Sequence, residues 1–380
     1  MRLKEKTIYS LDTPRVIIDY DKMMGNIHMI HDYAFKYGVK VRPHIKTHKN
    51  LDIARIQKKE GAIGVTASKP EEASIFMHGN LGSITVAYPV IEHNKVQKII
   101  STAKTYKQEL NVIIDSEVGL KMVDKLSRGL TPPLGIYVKI DVGFHRCGLS
   151  PDDPLILDLI EAILSRKHLS FKGLLSYSGH AYRAKNHIEV EKIALEEINI
   201  MKQLKFLLEQ QGIEINELSI GSTPTLLTGI DLTGITEIRP GNYIFLDRTT
   251  WQLGLITPEQ IALNVIATII SKNKNYFIID AGSKILTSDL GPHGSKLLED
   301  YGIAYPIDSY LENSREMRIV SLSEEHGIIK RPSFDLPIGT KLRIIPNHAC
   351  PIVNLVDSII IHQNEVVIYT WKVHARGKIL

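Results

Sequence analysis

The sequence predicts an α/β protein: an N-terminal (β/α)₈ barrel followed by a C-terminal all-β domain. Three observations predict it. From Arg15 to about Thr225, roughly eight short apolar runs alternate with segments of helical period. Those runs are almost continuously apolar, the signature of parallel strands buried on both faces. After about Arg248 the helical period gives way to β-branched, alternating runs joined by short turns. A chain of 380 residues also exceeds what one core usually organises, so two domains are expected.

Taken in order, RVIIDY is read as the opening strand, and Lys22–Tyr37 as a helix closed by Gly38. KVRPHIKTH, AIGVTAS, SITVAYP, LNVIID, LGIYVKIDVG, LSFKGLLSYSG and INELSIG continue the strand series. Between them lie amphipathic helices, notably His187–Gln211. A barrel suits this count better than an open doubly wound sheet, because RVIIDYDKMMGN lacks the G-x-G-x-x-G turn of a dinucleotide-binding fold. The barrel is assigned to residues 11–248. Residues 1–10 and 249–380 are assigned to the β domain, where the first ten add a strand.

Composition excludes several function classes. With 43% hydrophobic and 23% charged residues the chain is ordinary globular protein. A net charge of +4 spread over this length, with no basic arm or arginine–aromatic ladder, argues against nucleic-acid binding. No segment has signal-peptide or membrane-spanning character, so a cytoplasmic protein without membrane contact is expected. Cys147 and Cys350 are too few for a disulfide framework.

In a barrel, chemistry sits at strand C-terminal ends and in the loops after them. RPHIKTHK (Arg42–Lys49) places Lys46 there among Arg42, His44, His48 and Lys49, a density of positive charge that raises an amine's nucleophilicity. The same run also reads as a basic turn exposed to water; an anionic cofactor nearby decides for the reactive reading. GSTPT (Gly221–Thr225) follows the last predicted barrel strand and offers backbone N–H groups and hydroxyls for a phosphate, though it is ordinary turn chemistry too. RPGNYIFLD adds a second Gly-rich turn, with Tyr243 suited to another phosphate oxygen. DVGFHRCG places Arg146 to face a phenolate or carboxylate, and SYSGHAY places Tyr177 or His180 to meet a heterocycle. Cys147 reads as inert packing. In PNHACP, His348 and Cys350 are two apart; in an extended segment both point the same way, and imidazole with thiolate suits Zn²⁺. A satisfied histidine beside a buried cysteine is the competing reading.

RPHIKTHK, DVGFHRCG, GSTPT, RPGNYIFLD, DAG (Asp280–Gly282), SEEHG (Ser323–Gly327) and PNHACPIVNLVD, in this order from Thr13 to Gly377, resemble the D-threonine aldolase and D-serine dehydratase family. These are fold-type III pyridoxal-phosphate (PLP) enzymes related to alanine racemase. The resemblance implies that Lys46 forms the internal Schiff base with PLP. It implies a phosphate held by Gly221, Ser222 and Thr223 with Gly241, Asn242 and Tyr243 nearby, Arg146 at the phenolic oxygen, and Tyr177 near the ring. It further implies a divalent metal on His348 and Cys350 beside the β-hydroxyl of a small D-amino acid, and a homodimer. His44 and His48 are candidate proton carriers. The His-x-Cys pair is similar to the dehydratases and suits Zn²⁺, whereas the aldolases carry His-x-Asp, which suits Mn²⁺ or Mg²⁺. The PIVNLVD tail is similar to the aldolases, and on it retro-aldol cleavage to glycine and an aldehyde is the preferred reading. Elimination to a keto acid and ammonia is the alternative. A racemase, needing no metal, and a non-catalytic PLP-binding barrel are weaker; the latter lacks a second domain, against roughly 130 residues here after Arg248.

Overall fold

The computed structural model describes residues 6–380. The chain divides into two units: residues 29–181, 188–241 and 377–380 form one, and residues up to 28, 182–187 and 242–376 form the other.

RVIID becomes the strand β1 (Arg15–Asp19), and it is not where the apolar run placed it. It pairs antiparallel with a later strand, Leu263–Lys272, and parallel with Ser358–Gln363, inside the sheet of the second unit. Val16, Ile17 and Ile18 are all buried, so the run meets the demand of any doubly covered strand, and only its long-range partners select the sheet.

The first unit is built on eight parallel strands: β2 (Lys40–Val41), β3 (Gly64–Ala67), β4 (Ser83–Val86), β5 (Glu109–Ile114), β6 (Leu134–Lys139), β7 (Leu169–Leu175), β8 (Glu217–Ile220) and β9 (Glu237–Ile238). They hydrogen-bond in the order β2-β9-β8-β7-β6-β5-β4-β3. The ring closes between the exit of β2 and β3. His44 bridges Thr66, Ile45 N–H donates to Thr66 O at 2.9 Å, and Thr66 N–H donates to Pro43 O at 2.8 Å. This is the predicted barrel, with β9 as its eighth strand in place of RVIID. Two residues are too few to show a strand period, so β9 was legible only as a turn, and GSTPT follows the seventh barrel strand rather than the last.

All residues of β3, β4 and β6 are buried, as their apolar runs require. The barrel interior nevertheless holds charge. Arg42 Nε donates to Glu237 Oε2 at 2.6 Å, and Tyr137 OH donates to Glu217. Helices pack outside, started by side-chain caps: Asn50 Oδ1 accepts Ile53 N–H at 2.8 Å, and Ser116 Oγ accepts Gly119 N–H at 3.2 Å. The helix His187–Gln210 buries a stripe that includes Val190, Ala194, Ile198, Met201 and, unexpectedly for a stripe, Glu197.

The second unit is one nine-stranded, largely antiparallel sheet. To β1 it adds β10 (Leu263–Lys272), β11 (Tyr276–Ile279), β12 (Ile303–Pro306), β13 (Met317–Leu322), β14 (Gly327–Lys330), β15 (Lys341–Ile345), β16 (Ser358–Gln363) and β17 (Val366–Lys372). Their order is β11-β14-β13-β12-β15-β10-β1-β16-β17. Ile8, Leu11, Ile17, Ile266, Ile307 and Ile360 pack into one core cluster. Of the strand expected in the first ten residues, residues 1–5 lie outside the described residues. Thr7 makes a single bridge to Val366, and Ile8–Ser10 is a 3₁₀ turn.

Candidate active site

Past β2 the backbone bonds continue through Arg42 N–H to Ile238 O at 2.9 Å and His44 N–H to Pro240 O at 2.8 Å, and the chain then turns through Ile45–His48. Lys46 lies in this turn, half-buried. Its backbone N–H donates to His44 Nδ1 at 3.4 Å, and its Nζ stands 5.5 Å from the centre of the Tyr177 ring. Gly241 fits closely against the turn: a β-carbon there would lie 3.1 Å from Thr47 Oγ1 and 3.2 Å from His44.

A small cavity opens over Lys46, lined by His44, Lys139, Arg146, Tyr177, Gly221 and Arg239, with Ala87 and Leu175. Four of the lining residues are cations and none is an acid. Burial, reinforced by Lys46, Arg239 and Arg146, holds His44 well below its ordinary pKa, so the ring is neutral. Burial likewise brings Lys139 down to about 8; its Nζ donates to Ile140 O at 2.6 Å. Arg146 is exposed at the rim, its guanidinium 4.9 Å from the Phe144 ring and 5.1 Å from that of Tyr177. Arg239 is buried and donates to Ser176 O and Ser219 Oγ.

The GSTPT turn is held by internal bonds. Ser222 N–H donates to Thr225 Oγ1 at 3.0 Å and Ser222 Oγ meets the same hydroxyl at 3.1 Å, so Ser222 serves the turn itself. Gly221 has φ +98°, which a side chain would strain. Glu197 ties this turn to the exit of β7: it accepts Ser176 Oγ at 2.6 Å, Ser178 Oγ at 2.5 Å and Gly221 N–H at 3.4 Å. Thr223 Oγ1 is buried with no hydrogen-bond partner among the described residues. An orphan hydroxyl and a cation-lined, acid-free cavity fit an anionic phosphate cofactor.

His48 does not line the cavity. It is fully buried, its ring edge-on to Phe76, and burial pushes it down to about 3. Its position two residues past Lys46 turns it into the barrel wall. His180 stacks on Phe144 at 6.3 Å and is not among the cavity lining. Asn242 and Tyr243 belong to the second unit, where Tyr243 is fully buried and Asn242 Nδ2 donates to Asp247 Oδ2 at 2.7 Å.

In the second unit, PNHACP is not extended. His348 is the N-cap (φ −143°) of a helix, Ala349–Leu355, and Cys350 stands in its first turn. The two side chains still meet: Cys350 is a hydrogen-bonding neighbour of the His348 ring. Helical winding, rather than strand alternation, brings them together. His348 Nδ1 is bonded to Asp289 Oδ2 at 2.6 Å. Burial opposes the imidazolium, but the bonds to Asp289 and Cys350 prevail and push the metal-free ring up to about 10. Among the described residues, no cluster of three or more His, Cys, Asp or Glu forms a metal cage. A nitrogen and a sulfur side by side, with the second ring nitrogen held by a carboxylate, fit a two-ligand site for a borderline-soft ion.

A closed (β/α)₈ barrel with a lysine turn under a cation-lined cavity, in a chain that also carries a β domain, defines a fold-type III PLP enzyme. The profile described as "Alanine racemase, N-terminal domain" matches residues 18–249, and "Putative serine dehydratase domain" matches residues 262–362. The chain is 32% identical to D-serine dehydratase of Dictyostelium discoideum, covering 90% of this chain and 91% of that one. It is 30% identical to D-threo-3-hydroxyaspartate dehydratase of Delftia sp. (strain HT23), over 91% and 93% respectively. The solved structure of that dehydratase superposes with a TM-score of 0.89 over 97% of this chain and 99% of the other, at 28% identity. D-threonine aldolase from Filomicrobium marinum superposes with a TM-score of 0.87 at 26% identity, over the whole of both chains (100% and 100%). The chain belongs to the D-threonine aldolase and D-serine dehydratase family of PLP-dependent lyases.

Lys139, Arg239, Glu197 and Asp289 were not singled out from the sequence. Lys139 carries the same signal as Lys46, a lysine closing an apolar strand, and Glu197 interrupts an apolar stripe. Asp289 has no local signal, being 59 residues from His348.

Proposed function

We propose that the chain is a PLP- and metal-dependent lyase of D-3-hydroxy amino acids that eliminates the β-hydroxyl to yield a keto acid and ammonia. The observation that carries the reading is Lys46 under a cavity lined by Lys139, Arg146 and Arg239 and no acid. Lys46 is the residue to hold PLP, with Gly221, Thr223 and Arg239 as phosphate partners and Tyr177 and Arg146 beside the ring. PLP, when bound, supplies an electron sink for the α-carbon. Lys46, once released from the cofactor, would be the group placed to take the α-proton. His44, kept neutral, accepts the N–H of Lys46 and keeps its turn in place.

His348 and Cys350 are the residues to hold the metal, which supplies Lewis acidity toward the leaving oxygen. Of a D-threo-3-hydroxyaspartate dehydratase, histidine-to-alanine and cysteine-to-alanine variants two positions apart have been solved, the cysteine variant in a metal-free form. That supports the pair here, and the thiolate favours Zn²⁺ over Mn²⁺ or Mg²⁺.

Elimination is preferred over retro-aldol cleavage for two reasons. The PIVNLVD tail, which favoured cleavage, serves packing: Ile352 and Val353 are fully buried, and Asp357 pairs with Arg376 at the surface. The 30% and 32% identical relatives are both dehydratases. Product analysis of the PLP- and zinc-loaded protein with D-serine and D-threonine tests the reading. A keto acid with ammonia is expected; glycine with an aldehyde would overturn it in favour of the aldolase.

A further inference from the structure

The surroundings of His348 contain more than a two-ligand site needs. Its backbone is pinned on both sides. Before it, Asn347 O accepts Thr249 Oγ1 at 2.7 Å; after it, Ala349 N–H donates at 3.1 Å to Asp247 Oδ2, an oxygen that also accepts Asn242 Nδ2. Asp247 is fully buried and caps its own helix, Arg248–Gln252, through Thr250 N–H, so this anchor is itself held in place by the fold. With the backbone fixed, the imidazole retains two freedoms: rotation of the ring and choice of tautomer.

Asp289 removes both. Its Oδ2 holds His348 Nδ1 at 2.6 Å, and its Oδ1 accepts Gly291 N–H at 3.1 Å. Its own N–H donates to Thr287 Oγ1 at 3.2 Å, where Thr287 has φ +61°. Both carboxylate oxygens are therefore engaged within the protein, which argues against Asp289 as a ligand. A carboxylate on Nδ1 leaves Nε2 as the nitrogen that faces a metal, and it raises that nitrogen's basicity.

We infer that Asp289 is a positioning residue for the metal: it fixes the ring and tautomer of His348 so that Nε2, together with Cys350 Sγ, presents a preformed pair to a zinc-class ion. The inference rests on the metal reading above and adds a residue to it. It assigns Asp289 no contact with substrate or cofactor.

The test is zinc titration against a competing chromogenic chelator, using full-length, PLP-loaded protein stripped of metal. Wild type is expected to bind one zinc. Asp289→Ala is expected to weaken that binding on the order of 10–100-fold, with the PLP absorbance and its lysine linkage unchanged. Asp289→Asn, whose amide oxygen still accepts from Nδ1–H, is expected to lie nearer wild type than Asp289→Ala. Cys350→Ala marks the loss of a direct ligand. Zinc affinity of Asp289→Ala within threefold (about 0.7 kcal/mol) of wild type overturns the inference while leaving the metal reading intact. Asp289→Asn as weak as Asp289→Ala overturns it as well, because orientation is then not what the carboxylate supplies. If Asp289→Ala does not fold, the ordering of wild type, Asp289→Asn and Cys350→Ala decides: Asn as weak as the cysteine variant is the overturning result. Wild type that takes up no zinc overturns both readings.

Discussion

Lys46 is made useful by its neighbours. It shares its cavity with Arg146, Arg239 and Lys139 and with no acid, an arrangement suited to a bound anion. The burial that brings Lys139 down to about 8 marks the same lack of compensating charge. Lys46→Ala should therefore leave a folded barrel that has lost its visible cofactor band. Borohydride reduction followed by peptide mapping should find the cofactor fixed to the Arg42–Lys49 peptide in wild type and nowhere in the variant. Cofactor still covalently trapped in Lys46→Ala would sink the assignment. His48 shows the opposite lesson at the same scale: of two histidines flanking Lys46, one faces the cavity and the other fills the wall. Their spacing of four residues could not separate the two roles, because the turn through Ile45–His48 has neither strand nor extended helix period.

At the scale of elements, the barrel is closed by contacts that periodicity does not display. β9 is two residues long, yet its Glu237 accepts both Arg42 Nε and Ser219 Oγ, joining the strands on either side. Arg42 and Glu237 are both buried, so removing one partner leaves an uncompensated charge. Arg42→Met should destabilise the barrel by about 3–5 kcal/mol in urea denaturation. Adding Glu237→Leu should recover a large part of that loss. No loss in the single variant would show that the pair is not what closes the ring. Gly173 is a second such point: at φ +144° its β-carbon would stand 2.0 Å from Glu217 O, so β7 and β8 can approach only with glycine there.

The whole molecule carries buried neutral histidines in both units, and they set its acid limit. His48 is brought to about 3 and His362 to about 4 by burial, and His44 falls well below the usual range. Each binds its proton more readily unfolded than folded, so stability is present above pH 6.5 and falls as the pH drops below it. The slope is up to about 1.4 kcal/mol per pH unit for each such ring. His348 in the metal-free protein has the opposite sign, its contribution being lost as the pH rises from 6.5 toward 10, so it does not mask the acid limb. Urea midpoints measured at pH 7, 6 and 5 should fall steadily, and His48→Gln should flatten that fall by about one proton's worth. Identical slopes in variant and wild type would remove His48 from the account. Among the described residues, no helix is long and apolar enough to cross a membrane.

By itself the sequence determined the fold class and the order of the motifs. Parallel strands covered on both faces read as near-continuous apolar runs, and Lys46, Gly221 and His348 were marked by standing where such runs end. Tertiary structure decided which sheet received RVIID, what closed the barrel, and which side chains joined each site. A doubly buried strand looks the same in either sheet, and a two-residue strand has no period. Arg239 reaches the cavity, and Asp289 reaches His348, only through pairings remote in the chain. Lys46 could be named from eight residues, but the charge around it is assembled from the exits of two other strands, β6 and β9.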